Sequence, residues 1–124
     1  QLGAAIASLR DDGVLIVGSG MSYHNLRNLM SGNVDETSDM FDSWLADSVT
    51  SDDPNEVKKR LTQWADASGA REAHPREEHL LPLMVCAGAA GKDRGTITFS
   101  DRIMGAKVSS VRFGDENNDR MAKS

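Results

Sequence analysis

The sequence predicts an α/β fold, and three observations carry that prediction. Val14-Leu15-Ile16-Val17 is an unbroken β-branched and apolar run, the pattern of a strand buried on both faces of a sheet. Gly18-Ser19-Gly20 ends it abruptly, and the carboxyl edge of such a strand is where an open α/β sheet usually binds its ligand. Two amphipathic helical stretches and two alternating stretches then follow in the remainder of the chain.

The elements read as follows. Leu2, Ala5, Ile6 and Leu9 have helical spacing, so residues 1–10 form a helix that Gly13 ends. It reads as a helix already under way, without an initiator Met, and suggests a chain cut from something longer. After the strand and its glycine turn, a short helical segment begins at His24, with Leu26, Leu29 and Met30 free to face inward. Residues 31–37 are polar and read as loop. Residues 38–49 place Met40, Phe41, Trp44, Leu45 and Val49 on one helical stripe. Asp53-Pro54-Asn55-Glu56 is a helix start, with Asp as N-cap and Pro at the first position; that helix runs to about Ala65 and buries Val57, Leu61 and Trp64.

Residues 72–91 hold two of the three histidines, two of the three prolines and the lone Cys86 beside the most apolar run. A helix starting at Pro75 would meet Pro82 inside it and kink; one starting near Glu78 would put Pro82 where amides are still unpaired. Thr96-Ile97-Thr98-Phe99 alternates as a strand, and residues 106–113 fit a second one through Val108 and Val111. Residues 115–124 form a polar tail.

Bulk properties exclude some functions. At 124 residues the chain is at most one domain. Its net charge of −5 argues against nucleic-acid binding, and it has no apolar run long enough to span a membrane. One cysteine cannot form an internal disulfide, which fits a reducing, cytoplasmic setting.

Three histidines are the candidate chemistry. His24 follows a strand by a glycine-rich turn, where an imidazole can act as acid/base or metal ligand, or simply bond to loop backbone. His74 and His79 are five apart, roughly 140° around a helix axis, so they do not form the i, i+4 pair of a zinc protease. If both serve one site, His74 lies in the loop before a helix and His79 on its first turn. Spacing alone favours the plainer reading, in which His74 caps the helix and His79 sits on the surface. Gly18-Ser19-Gly20 is no nucleophile elbow, which would need Ser at position 20, and a poor dinucleotide fingerprint, because Tyr23 stands where the third glycine belongs; a generic anion-binding turn stays open. Cys86 reads as a buried structural thiol, Glu77 and Glu78 as solvated helix-end charges, and Arg27 as a surface residue able to meet a substrate carboxylate.

Gly13-Val14-Leu15-Ile16-Val17-Gly18-Ser19-Gly20 followed by His24-Asn25-Leu26 closely resembles the second half of class III extradiol ring-cleavage dioxygenases, in the 4,5-DOPA dioxygenase-like branch. Ala73-His74-Pro75, Glu78-His79, Leu81-Pro82-Leu83 and Gly88-Ala89-Ala90-Gly91 resemble the same branch in the same order, and the likeness covers residues 1 to about 114. The resemblance implies a three-layer α/β sandwich around a central mixed sheet, with residues 1–114 as its C-terminal half. It implies cleavage of a catechol-type ring with O2 at a non-heme centre, Fe(II) in most members and Zn(II) in some. His79 matches a metal ligand, His24 an active-site histidine that acts as acid/base and touches the metal, and His74 a histidine beside the pocket, taken with His24 as catalytic. Two further ligands belong to the family's N-terminal half, which these 124 residues lack, so that half is an expected partner and the isolated chain is expected to be inactive. A homo-oligomer is compatible with all of this. The reading from a different class is a non-catalytic α/β binding or scaffold domain.

Overall fold

A computed structural model describes residues 1–114; the expected polar tail at 115–124 lies outside the described residues. The first helix is short. Helix α1 (Leu2–Ile6) passes into a 3-10 turn (Ala7–Asp12), which Gly13 ends in the left-handed conformation at φ 79°. Helix α2 (Leu26–Ser31) is capped by the Asn25 side chain, which accepts from the Asn28 amide at 3.1 Å. Of its three apolar residues only Leu29 is buried; Leu26 and Met30 face out.

Helix α3 (Asp35–Val49) begins inside the expected loop and buries Phe41, Leu45 and Val49, while Met40 is exposed. Helix α4 (Pro54–Thr62) starts as its sequence dictates, with Asp53 accepting from the Asn55 amide at 2.9 Å. It stops three residues short of expectation, and Trp64 is buried instead from a 3-10 turn (Trp64–Asp66). One further turn, α5 (Ala70–Ala73), precedes the histidine-rich loop.

Helix α6 (Leu81–Ala90) starts with Pro82 in its first turn, so the proline removes an amide that had no helical partner. His74 is therefore no cap of this helix; it ends α5, and His79 sits in the turn just before α6. Helix α1 crosses α6 backbone to backbone: a Cβ on Gly3 would lie 2.2 Å from the Val85 carbonyl oxygen, so only glycine permits the approach. Arg10 donates to the Ala89 and Ala90 carbonyls at 3.1 Å each, closing the end of α6.

Strands β1 (Gly95–Ile103) and β2 (Ala106–Phe113) form an antiparallel hairpin running from the Gly95–Phe113 pair to the Ile103–Ala106 pair, with a bulge at Thr98. Met104 and Gly105 both have positive φ, 51° and 86°, as a two-residue turn matched to strand twist requires. Two apolar clusters hold the elements together. Tyr23, Phe41, Trp64, Leu80 and Val108 lie in one, and Leu45, Val49 and Leu61 in the other.

The expected central strand differs. Residues 14–17 pair with no strand among the described residues, and the sheet is two-stranded rather than mixed. Leu15 is 82% exposed and Val17 76%. The apolar run reports a segment built to be covered; its Val14 amide bonds to the Leu9 carbonyl, and Gly18 at its end lies against Pro82 and Cys86 of α6.

Candidate metal centre

Two chain segments meet beside the first apolar cluster. The Met21 amide donates to the His79 carbonyl at 3.0 Å, and the His24 amide to the Ala73 carbonyl at 2.8 Å. Between them Tyr23 is buried at the centre of the cluster. The Asn25 side-chain amide adds a bond to the Glu72 carbonyl at 2.7 Å. Residues 21–25 are thus clipped along residues 72–79 at both ends, which fixes where His24 lies relative to His79.

The consequence is a stacked pair of imidazoles. The His24 and His79 rings lie with centroids 3.5 Å apart and planes 19° from parallel. His24 is half-buried and His79 exposed, and among the described residues neither ring nitrogen set has a hydrogen-bond partner. Imidazole nitrogen suits both iron and zinc, so the donor set fits part of a histidine-rich metal site. It is not a full one: among the described residues no three His, Cys, Asp or Glu side chains gather at one point.

His74 goes elsewhere. It is 0% exposed, set edge-on to Phe41 and Trp64 at centroid distances of 5.4 and 6.2 Å. Its Nε2 donates to the Ser22 carbonyl at 2.8 Å, which leaves Nδ1 buried without a partner. Burial pushes its pKa below the ordinary histidine value; the Ser22 carbonyl opposes that shift, and His24 and His79 add to it.

Ser22 is also held from its other side. Its Oγ accepts from the Ser109 amide at 2.9 Å, and the Ser109 hydroxyl donates to the buried Asp42 carboxylate at 2.6 Å. A chain of polar groups therefore runs from His74 through Ser22 and Ser109 to Asp42, tying α5, the His24 loop, β2 and α3 together. Nothing in the sequence marks Ser22, Asp42 or Ser109. They are common polar residues separated by tens of positions, and only the fold makes them neighbours. Cys86 is half-buried, with its Sγ 2.8 Å from where a Cβ on Gly18 would stand. An open groove lined by Asp39, Met40, Trp44 and Ser68 contains none of the histidines.

Comparison with known proteins places this arrangement. Residues 1–112 match the family model described as the catalytic LigB subunit of aromatic ring-opening dioxygenase, and the chain belongs to that family. Within it, the chain is similar to proteins named 4,5-DOPA dioxygenase extradiol. It is 42% identical to the one from Beta vulgaris over 95 residues, covering 75% of this chain and 34% of that protein. It is 30% identical to the one from Escherichia coli K12 over 119 residues, covering 92% and 44%. A solved structure of an uncharacterized protein from Escherichia coli K12 superimposes with a TM-score of 0.78 at 30% identity, over 91% of this chain and 48% of that one. The chain thus spans less than half the length of these relatives.

Proposed function

We propose that residues 1–114 form the C-terminal part of an extradiol dioxygenase domain that opens a catechol-type ring with O2, in the cytoplasm, at a non-heme centre holding Fe(II) or, as second choice, Zn(II). The observation that carries this reading is the stacked His24–His79 pair, held by backbone clips on both segments. His79 would hold the metal, with His24 beside it, and the remaining ligands would come from the N-terminal half of the same domain. A bound metal supplies open positions for the two ring hydroxyls and O2.

This chain's own residues have separable tasks. His24 takes a proton from a catechol hydroxyl at one ring nitrogen and returns it as the ring opens, work suited to an imidazole acting as general base and then general acid. His74 is a positioning residue: sealed in the core, it reaches the chemistry only through the Ser22 carbonyl and the loop that carries His24.

The test uses a complete domain, made by putting this chain in place of the matching 95-residue stretch of the Beta vulgaris relative. Metal content by elemental analysis should be about one ion per domain, falling to background in His79→Ala. His24→Ala should keep most of the metal and lose O2 uptake with a catechol by about 100-fold or more. A folded domain that takes up no metal would overturn the enzyme reading and leave the scaffold one.

A further inference from the structure

Asp42 breaks the pattern of the helix that carries it. Phe41 and Leu45 are core residues of α3, yet the Asp42 carboxylate is buried among them at 8% exposure. A buried carboxylate is normally held by a cation, and among the described residues Asp42 is in no ion pair. Its partner is a neutral hydroxyl, that of Ser109, at 2.6 Å. An ionised carboxylate only accepts, so the Ser109 hydroxyl is committed to donating to it.

Ser109 has two donors and sends them in different directions. The hydroxyl goes to Asp42 on α3, and the amide goes to Ser22 Oγ at 2.9 Å. Ser22 is likewise held twice, because its carbonyl accepts from His74 Nε2 at 2.8 Å. Ser22 lies between two backbone clips, Met21 to the His79 carbonyl and His24 to the Ala73 carbonyl. Those clips fix where the two histidine segments cross. By themselves they leave the segment able to roll about the line that joins them, and a roll would swing the His24 ring off that of His79. The bonds to Ser22, one on its carbonyl and one on its hydroxyl, stop the roll. A similar bond nearby does not reach the loop: the Lys107 amide donates to Ser38 Oγ at 3.2 Å, which ties β2 to α3 without touching Ser22.

We infer that Asp42 is a positioning residue for His24: acting through Ser109 and Ser22, it sets the angle at which the His24 imidazole meets His79. The inference rests on the proposed function for what His24 does, and on the hydrogen bonds alone for what holds it. A general base works only when its nitrogen is within hydrogen-bond reach of the hydroxyl it deprotonates. An imidazole that rolls out of place therefore loses rate, while substrate binding is largely kept.

The experiment compares Asp42→Ala, Asp42→Asn and Ser38→Ala with the native chain. In the isolated chain the readout is the nuclear Overhauser contact between the His24 and His79 ring protons, with urea stability measured alongside. Asp42→Ala should fold and lose the ring contact. Asp42→Asn still offers Ser109 an acceptor oxygen and should keep it. Ser38→Ala should lower stability and leave the ring contact in place. In the complete domain described above, Asp42→Ala should lower kcat with a catechol about tenfold or more, with KM and metal content near native, and Asp42→Asn should recover most of that rate. A ring contact that persists in folded Asp42→Ala overturns the inference. So does its equal loss in Ser38→Ala, which would reduce the brace to general packing of β2. If Asp42→Ala does not fold, Ser109→Ala removes the donor to Asp42 while keeping the amide bond to Ser22, and the ring contact decides in the same way. A native domain without metal or turnover would sink the dioxygenase reading alone, because the ring contact is read without either. Bound metal with an unchanged kcat in Asp42→Ala would sink the positioning role alone.

Discussion

Residues 14–19 and residues 21–25 are neighbours separated by one glycine, and they have opposite fates. The first stretch is the more apolar, yet it is bare: Leu15 and Val17 lie open to solvent, and its amides between the end bonds are unpaired among the described residues. The second carries Ser22, Tyr23, His24 and Asn25, yet it is the better held, with Ser22 and Tyr23 buried and bonds from Met21, His24 and Asn25 to residues 72–79. Burial follows the presence of a complementary surface rather than hydrophobicity alone. Residues 70–80 and β2 offer that surface to the second stretch, while the first meets Leu9 at its start and α6 at Gly18.

Gly20 is the hinge of the contrast, and altering it strikes the loop directly. A Cβ there would sit 2.3 Å from the His79 carbonyl oxygen and 3.2 Å from Pro82 Cγ. The backbone oxygen cannot rotate away as a side chain would, so Gly20→Ala must push the loop off α6. The expected loss is about 1–3 kcal/mol in the isolated chain, measured by urea unfolding. The Met21–His79 bond should lengthen with it, and the His24–His79 stack should loosen. Wild-type stability in Gly20→Ala would mean the loop is not seated as described.

The second test separates His74 from the two histidines it supports. Its pKa lies below the ordinary value in the folded chain and near 6.5 in the unfolded one. Between those two values the unfolded chain holds a proton that the native one does not, so stability rises with pH through that window. Acidification below about 6.5 therefore erodes stability, by at most about 1.4 kcal/mol per pH unit, and above 6.5 His74 contributes no further slope. His74→Gln retains an NH donor for the Ser22 carbonyl and has no such titration. The difference between the two unfolding profiles from pH 7.5 to 5 isolates His74, because His24 and His79 are common to both proteins. Parallel profiles would show that His74 is not sealed.

Much of this contrast was legible in the sequence, and the rest was not for physical reasons. Local signals held where the causes are local: the Asp53-Pro54 helix start, the left-handed Gly13, the inward stripe of Phe41, Leu45 and Val49, and the two strands of the hairpin. The choice between two starts for α6 was settled by Pro82, which belongs where amides are free. The pairing of His24 with His79 came from family likeness rather than from spacing, since 55 positions separate them and the backbone clips between their segments leave no pattern. The burial of His74 was invisible for the same reason, as it depends on Phe41 and Trp64 arriving from other helices. For residues 14–17 the apolar run expresses a need for cover, which local pattern registers faithfully, but not which chain provides it.

The smallest effect expected in the isolated chain tests the other side of the contrast. Leu15→Ser removes a large apolar side chain from the centre of the run. In the isolated chain that side chain is already 82% exposed, so little area returns to water on unfolding, and the change should stay within about 0.5 kcal/mol. In a complete domain where a neighbouring strand covers Leu15, the same substitution should lose the burial of a whole leucine side chain and place a hydroxyl in the gap, about 2–5 kcal/mol. Tyr23 supplies the reverse control: it is buried in both settings, so Tyr23→Ala should be costly in both, at about 3–5 kcal/mol by analogy with other large core aromatics. A Leu15→Ser penalty that stays small in the complete domain would place the run on a true outer surface, and its apolar sequence would then need a different partner from the rest of its own domain.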